Sequence, residues 1–312
     1  YFIKDFNKRE GIYYNTRSFY EKYYVTSSIS PYFMSDLALN FNTYNHSKYQ
    51  DLIDLYAESM GSDYYDTYSD FKNNGILVES NEEDNYDGGF TTYLPALEKP
   101  VMYLGNTSYQ TPFVYIHEFG HYYNFTKAGR KEITLDLCET HSQANELLFL
   151  DYILSKTTKF NNREINHIIA QKLEYFTKMA IYTSLIGIIE LEAYNKGVVD
   201  EETISTIISE TARAFFPNIF EIFRESALKS YIESILIDHP MYYFSYSTSI
   251  ISSLNLFFIS LNSYDNAKEK YLYIQSYDNY DGFVNTLANA GLKNPFEEEI
   301  FIDLSQLFDR IK

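Results

Sequence analysis

The sequence predicts a mainly α-helical domain that carries one small β-sheet. Three observations predict it. Apolar residues recur at helical spacing from about residue 46 to 71, and again from about 109 to the C-terminus. Between these stretches, residues 76–106 change texture. Three short β-prone runs, Ile76–Val78, Phe90–Leu94 and Val101–Leu104, are bounded by Asn73-Asn74-Gly75, Gly88-Gly89, Pro95, Pro100 and Gly105. Gly197, Pro217, Pro240 and Pro295 fall between long periodic segments rather than inside them.

Taken in order, residues 1–45 read as a tyrosine-rich helical lead-in, with a helix around Thr16–Tyr24 and an interruption at Pro31. Tyr49, Leu52, Ile53 and Tyr56 mark a helix within His46–Met60. Gly61 is expected at its C-terminal end, with Ser62 or Asp63 capping a helix that runs to about Phe71. After the sheet, helices are expected over Tyr109–Lys127 and Leu135–Ser155. Further helices follow at about 163–195, 201–214, 218–236, 242–261, 265–275, 281–290 and 296–310. No repeat or long linker is visible, so residues 46–312 read as one domain.

Composition removes several classes of function. With 45% hydrophobic and 18% aromatic residues over 312 positions, the chain can bury a core. A net charge of −18 argues against nucleic-acid backbones and anionic membranes as partners. No apolar run spans a bilayer, since Ile250–Leu261 is broken by Ser252, Ser253, Asn255 and Ser260. Cys138 is the only cysteine, which excludes an intrachain disulfide. It sits beside Glu139, which disfavours a thiolate, so it is read as packing. The opening Tyr1-Phe2-Ile3-Lys4-Asp5 has no signal-peptide pattern. The expected location is cytoplasmic, the alternative being an exported or cell-surface domain of a cysteine-poor protein.

The chemistry centres on His117-Glu118-Phe119-Gly120-His121, inside the helix expected over Tyr109–Lys127. On a helix, residues four apart share a face, so both imidazoles can reach one Zn²⁺, with Glu118 placed as general base on a bound water. A catalytic zinc needs a third protein ligand. The following helix supplies Glu139-Thr140-His141-Ser142-Gln143-Ala144-Asn145-Glu146. Glu139 and Glu146 share one face of it, and on spacing alone either completes a His₂Glu set. His141 is in range but on a different face.

These two stretches together resemble the thimet oligopeptidase and oligoendopeptidase F family of zinc peptidases. That family carries HE[FL]GH and then a helix with E-x-x-S-x-x-x-E. The resemblance implies a helical zincin-type metallopeptidase domain with one Zn²⁺, held by His117, His121 and Glu139. It places Glu146 behind a ligand imidazole. The loop between the two motifs is shorter than the family's, and by raw count Glu146 fits the ligand position; the local pattern favours Glu139. Gly88-Gly89-Phe90 and Pro100-Val101-Met102-Tyr103-Leu104 are similar to the family's glycine pair and substrate-lining strand. Gly88, Gly89, Tyr103 and Gly105 are therefore the expected substrate contacts. Phe283–Phe308 resembles the family's closing helices, so residues from about 46 to 312 match its C-terminal, catalytic half.

A tetrahedral intermediate needs a hydrogen-bond donor opposite the metal. In this family it is tyrosine, sometimes histidine, from a late helix. The resemblance points to Tyr246 first, then Tyr243, Tyr242 and His239, although 33 tyrosines make a cluster common by chance. The implied function is hydrolysis of peptide bonds in a peptide or an unfolded protein segment. The alternatives are a non-catalytic peptide-binding homologue, a protease acting on one protein partner, and a helical interaction domain without metal.

Overall fold

A computed structural model of the chain describes residues 49–80, 86, 88–105, 111–129, 133–156, 160–197, 200–215, 240 and 242–311. The expected lead-in over 1–45, the helix at 218–236 and His239 lie outside the described residues. The described chain is mainly helical with one three-stranded sheet, as the sequence predicts. Among the described residues, no helix is long and apolar enough to cross a membrane.

Two short helices come first, α1 (Gln50–Ser59) and α2 (Ser62–Asn74). Leu52, Ile53, Tyr56 and Ala57 form the buried face of α1, and Tyr64, Tyr68 and Phe71 that of α2. This is the one-sided apolar spacing of a surface helix. Gly61 follows the C-cap Met60 and is itself the N-cap of α2. The expected capping by Ser62 or Asp63 is therefore corrected: the α2 N-cap makes no side-chain hydrogen bond, and the Gly61 carbonyl accepts from the Tyr65 N–H at 2.9 Å.

The sheet contains β1 (Ile76–Glu79), β2 (Gly89–Leu94) and β3 (Lys99–Leu104) in the order β1-β3-β2. β1 runs parallel to β3 from Ile76↔Val101 to Glu79↔Leu104, and β2 antiparallel to it from Gly89↔Leu104 to Leu94↔Lys99. Pro100, expected to bound the third strand, lies inside it. β1 begins opposite Val101, so beside Pro100 only the β2 side of the ladder needs bonds. Phe90 stacks on Tyr103 with ring centroids 4.9 Å apart on one face of the sheet.

The sheet lies against α3 (Thr111–Ala128), whose first turn takes Pro112 at no cost in hydrogen bonds. α4 (Leu135–Lys156) packs on α3 and is central. α7 (Tyr242–Ser260) and α8 (Tyr264–Gln275) also pack on α4. α5 (Asn162–Lys196) packs on α7, and α6 (Glu201–Phe215) lies on α5. A 3₁₀ turn (Tyr277–Asn279), α9 (Phe283–Asn289) and α10 (Glu299–Ile311) close the chain, with α10 resting on α7.

Surrounded in this way, α4 is buried almost along its whole length. Its polar residues must then find partners inside the protein. Thr140 donates to the Asp136 carbonyl at 2.7 Å, and Asp136 in turn accepts from Thr248 of α7. Asn145 accepts from Tyr56 at 2.7 Å and Tyr64 at 3.0 Å, and donates to the Ile116 carbonyl of α3 at 2.7 Å. These bonds lock α1, α2, α3 and α4 in one register. Gly120 lets α3 and α4 touch: a Cβ there would lie 2.9 Å from Ser142 Cα and 3.1 Å from the His141 carbonyl oxygen.

Candidate metal centre and cleft

The α3–α4 contact sets the candidate site. His117 and His121 lie one turn apart on α3, with ring centroids 5.0 Å apart. Glu139 stands opposite on α4. Its Oε2 is 3.7 Å from His117 Nε2 and 3.9 Å from His121 Nε2, and one ligand atom from each residue lies within 4.8 Å of the others. Ligands at about 2.0–2.1 Å around a tetrahedral zinc stand about 3.3 Å from one another. The measured gaps are slightly wider, and the His₂Glu donor set suits zinc. The three residues therefore fit the ion.

Glu146 occupies a different place. Its Oε1 is 2.7 Å from His117 Nδ1, so it holds the ring from behind and leaves Nε2 facing Glu139. Its other oxygen pairs with Lys172 of α5. Lys172 is 3% exposed and its ammonium lies 4.4 Å from the centroid of the Phe113 ring. Burial pushes Glu146 up, but Lys172 and His117 outweigh this and hold it below its usual range. The chain is thus Lys172–Glu146–His117, a cation fixing a carboxylate that fixes an imidazole. Lys172 was not legible in the sequence, where a lysine on a long helix reads as a solvated charge.

Glu118 points to the sheet side. Thr91 of β2 donates to its carboxylate at 2.9 Å and to its backbone carbonyl at 3.0 Å. Gly89 makes that approach possible, since a Cβ there would lie 2.9 Å from both Cγ and Oε1 of Glu118. Burial pushes the Glu118 carboxyl up to about 7, partly offset by His117 and Thr91. Thr91 is the second residue that sequence reasoning missed, because a lone strand threonine carries no signal of its partner.

Across the cleft stands the tyrosine cluster at the start of α7. Tyr246 stands near Glu139, and its hydroxyl is 2.8 Å from that of Tyr242. Burial and the neighbouring Glu139 push the Tyr246 phenol well up. Tyr243 stacks on Tyr246 with centroids 6.0 Å apart. Of these three, Tyr246 alone lines the cavity beside His117 and Glu118.

Of the expected substrate contacts, Gly89 lines that cavity; Gly88, Tyr103 and Gly105 do not. The Gly88 carbonyl accepts from the Gly105 N–H at 2.9 Å, tying the end of β3 to the entry of β2. Tyr103 donates to the Tyr86 carbonyl at 3.1 Å. His141 turns away, its Nε2 lying 2.8 Å from the Ile274 carbonyl oxygen of α8. The Cys138 thiol is pushed up to about 12 by burial and by Glu139, consistent with a packing role.

Fold and site together define a helical domain with an HExxH helix beside a small sheet, and its fold is similar to that of solved structures described as peptidases. Among solved structures, PZ peptidase A with inhibitor 2 superposes with a TM-score of 0.74 at 14% identity, over 96% of this chain and 58% of that one. A protein described as an oligoendopeptidase F from Bacillus anthracis str. Ames gives 0.69 at 14%, over 96% and 55%. A protein described as a peptidase from Chlamydophila abortus gives 0.58 at 21%, over 86% and 48%. The chain thus spans about half the length of the solved structures it matches. No protein-family profile matches the sequence, and no curated protein does. The resemblance drawn from the two motifs is therefore matched by the fold.

Proposed function

We propose that this chain is the catalytic domain of a zinc-dependent peptidase. The observation that carries the reading is the convergence of His117, His121 and Glu139 donor atoms within 4.8 Å, with Glu118 beside them. The likeness in fold to named peptidases supports it.

Zinc, when bound, supplies Lewis acidity that activates water and polarises a carbonyl. The chain's own residues do the rest. Glu118, steadied by Thr91, accepts a proton from the attacking water and returns it to the leaving amine. Tyr246 donates a hydrogen bond to the oxygen on which negative charge develops. Glu146 holds His117 so that its Nε2 is turned toward Glu139, and His117, His121 and Glu139 would hold the ion. The substrate is a peptide or an unfolded protein segment, laid along the β2 side of the cleft.

The test is Glu118→Gln. Peptide hydrolysis should fall by about 10²-fold or more, with zinc content by elemental analysis unchanged. Wild-type rates of cleavage by this variant would sink the mechanism. Protein purified in zinc-containing buffer that holds no metal would sink the site.

A further inference from the structure

In the order β1-β3-β2, β2 is an edge strand, and among the described residues no strand lies beyond it. Its pairing with β3 decides where its backbone groups point. The Gly105 N–H donates to the Gly88 carbonyl at 2.9 Å, one step beyond the Gly89↔Leu104 pair. Bonded and non-bonded pairs alternate in an antiparallel ladder. Phe90 therefore exchanges bonds with Tyr103, whereas Gly89 and Thr91 turn their N–H and C=O groups to the outer edge. These are the two residues that meet Glu118: Gly89 lines the cavity, and Thr91 holds the carboxylate.

Side chains alternate along a strand, so Phe90, between those two, points to the opposite face. There it stands in a cross-strand row with Tyr103 and Val78, its ring stacked on that of Tyr103. Tyr86 leans on the rings of Phe90 and Tyr103 at 6.2 and 6.5 Å. It also lies over Gly88, where a Cβ would be 2.5 Å from its ring. Phe90 is 46%, Val78 44% and Tyr86 64% exposed, which leaves an apolar surface one residue away from Gly89 in the cavity wall. A peptide extended along the edge of β2 covers that surface. Its residues bonded to Gly89 and Thr91 direct their side chains toward α3. The residue between them lies beside Phe90 in a non-hydrogen-bonded pair, the pair type with the closer side chains. We infer that Phe90, backed by Tyr103 and Tyr86, is a selecting subsite for one substrate residue whose side chain is aromatic or large and apolar and turns away from the metal centre. This rests on the peptidase reading, in which the substrate lies along β2, but can fail separately from it.

The test uses heptapeptides of alanine, glycine and serine with Phe, Leu or Asn at the central position. Binding to zinc-loaded Glu118→Gln is read by fluorescence anisotropy, and cleavage by the wild type is read by product masses. The Phe peptide is expected to bind about fivefold more tightly than the Asn peptide, with Leu between them. The double variant Glu118→Gln, Phe90→Thr should bring the Phe/Asn ratio to about one; Phe90 is exposed and threonine suits a strand, so the sheet is kept. N-methylation reads the register. The nitrogen of the central Phe points away from β2, so methylating it is tolerated. Methylating either neighbour removes a bond to Gly89 or Thr91 and should weaken binding about tenfold. Equal binding of the Phe and Asn peptides by Glu118→Gln overturns the inference, whether or not the double variant folds. A preference that survives Phe90→Thr in a folded protein overturns it, and so does binding lost by methylating the Phe nitrogen alone. A dimer that Phe90→Thr dissociates, with the peptide ratio unchanged, assigns the face to a second copy of the chain and overturns it as well. Cleavage with no preference removes the subsite and leaves the peptidase reading. A Phe preference in binding with no cleavage by the wild type leaves the subsite standing and removes that reading.

Discussion

At the scale of single residues, the site is a set of carboxylates kept apart by what each one touches. Glu118 takes its hydrogen bond from Thr91, Glu139 faces the two imidazoles and Tyr246, and Glu146 is held by Lys172. Lys172 gives the sharpest prediction. Lys172→Met leaves Glu146 buried without its cation, a change that costs about 3–5 kcal/mol of stability. Zinc affinity should also fall by about 10–100-fold, because Glu146 no longer fixes His117. Competition with a chromophoric chelator measures this, and unchanged affinity would show that Lys172 only packs. His117, Glu118 and His121 were legible in the sequence because their geometry is local to one helix. Glu139 and Glu146 were legible as a pair by helical spacing, and the structure separates their positions. Lys172 and Thr91 were not legible, since each meets its carboxylate through a contact between elements distant in sequence.

At the scale of elements, helix positions followed apolar spacing closely, while burial did not. The sequence places Glu139 and Glu146 on one face of the helix expected over Leu135–Ser155, turned toward the HExxH helix, and gives no sign that the opposite face is buried too. The structure buries both faces, because α3, α7 and α8 surround it, and Thr140, Ser142 and Asn145 find hydrogen-bond partners within the protein. The α3–α4 contact is the element most sensitive to change. Gly120→Ala places a methyl against Ser142 backbone, where neither helix can give way without moving a histidine. A loss of about 1–3 kcal/mol is expected from overpacking, with weaker zinc binding, read by urea melts and chelator competition. The α2–α3 contact is a cluster of aromatic rings, Tyr64, Tyr68 and Phe71 against Phe119 and Tyr122, with an ion pair at its edge. Lys127 and Tyr123 hydrogen-bond Asp63 at 2.5 and 2.6 Å and hold its carboxyl below the usual range. A folded pKa below the unfolded one stabilises above the unfolded value and loses that contribution as pH falls through the folded one. Asp63 is well exposed, so the contribution is below about 1 kcal/mol. The wild type should therefore lose more stability than Asp63→Asn between about pH 5 and pH 2, and parallel acid melts would refute this.

At the scale of the whole molecule, the ion is expected to act as a structural partner as well as a reagent. The chain carries a net charge of −18, and three of its carboxylates, Glu118, Glu139 and Glu146, are buried at the α3–α4 contact. Zinc should raise the melting temperature, by an amount set by mass action: about 4 kcal/mol at a thousandfold excess over Kd. A chelator should reverse the rise at constant ionic strength. A midpoint indifferent to chelation would mean that the two helices hold their register without the metal. The mainly helical class with one small sheet was legible from apolar spacing and from the change of texture over residues 76–106. The order β1-β3-β2 was not, because which short strand lies in the middle depends on register rather than composition.

The close approach at Gly120 bears on how this site can be recognised in other chains. In the bare pattern HExxH, the two middle positions are free. Here the second of them is set by the backbone of a neighbouring helix, which any side chain would push away. The glycine therefore reports on the presence of a partner helix, here the one carrying Glu139, although it has no side chain to take part in the cluster itself. A chain with His-Glu-x-Gly-His, followed by a helix with Glu-x-x-Ser, encodes two surfaces that fit each other. That makes the joint pattern far more informative than either half.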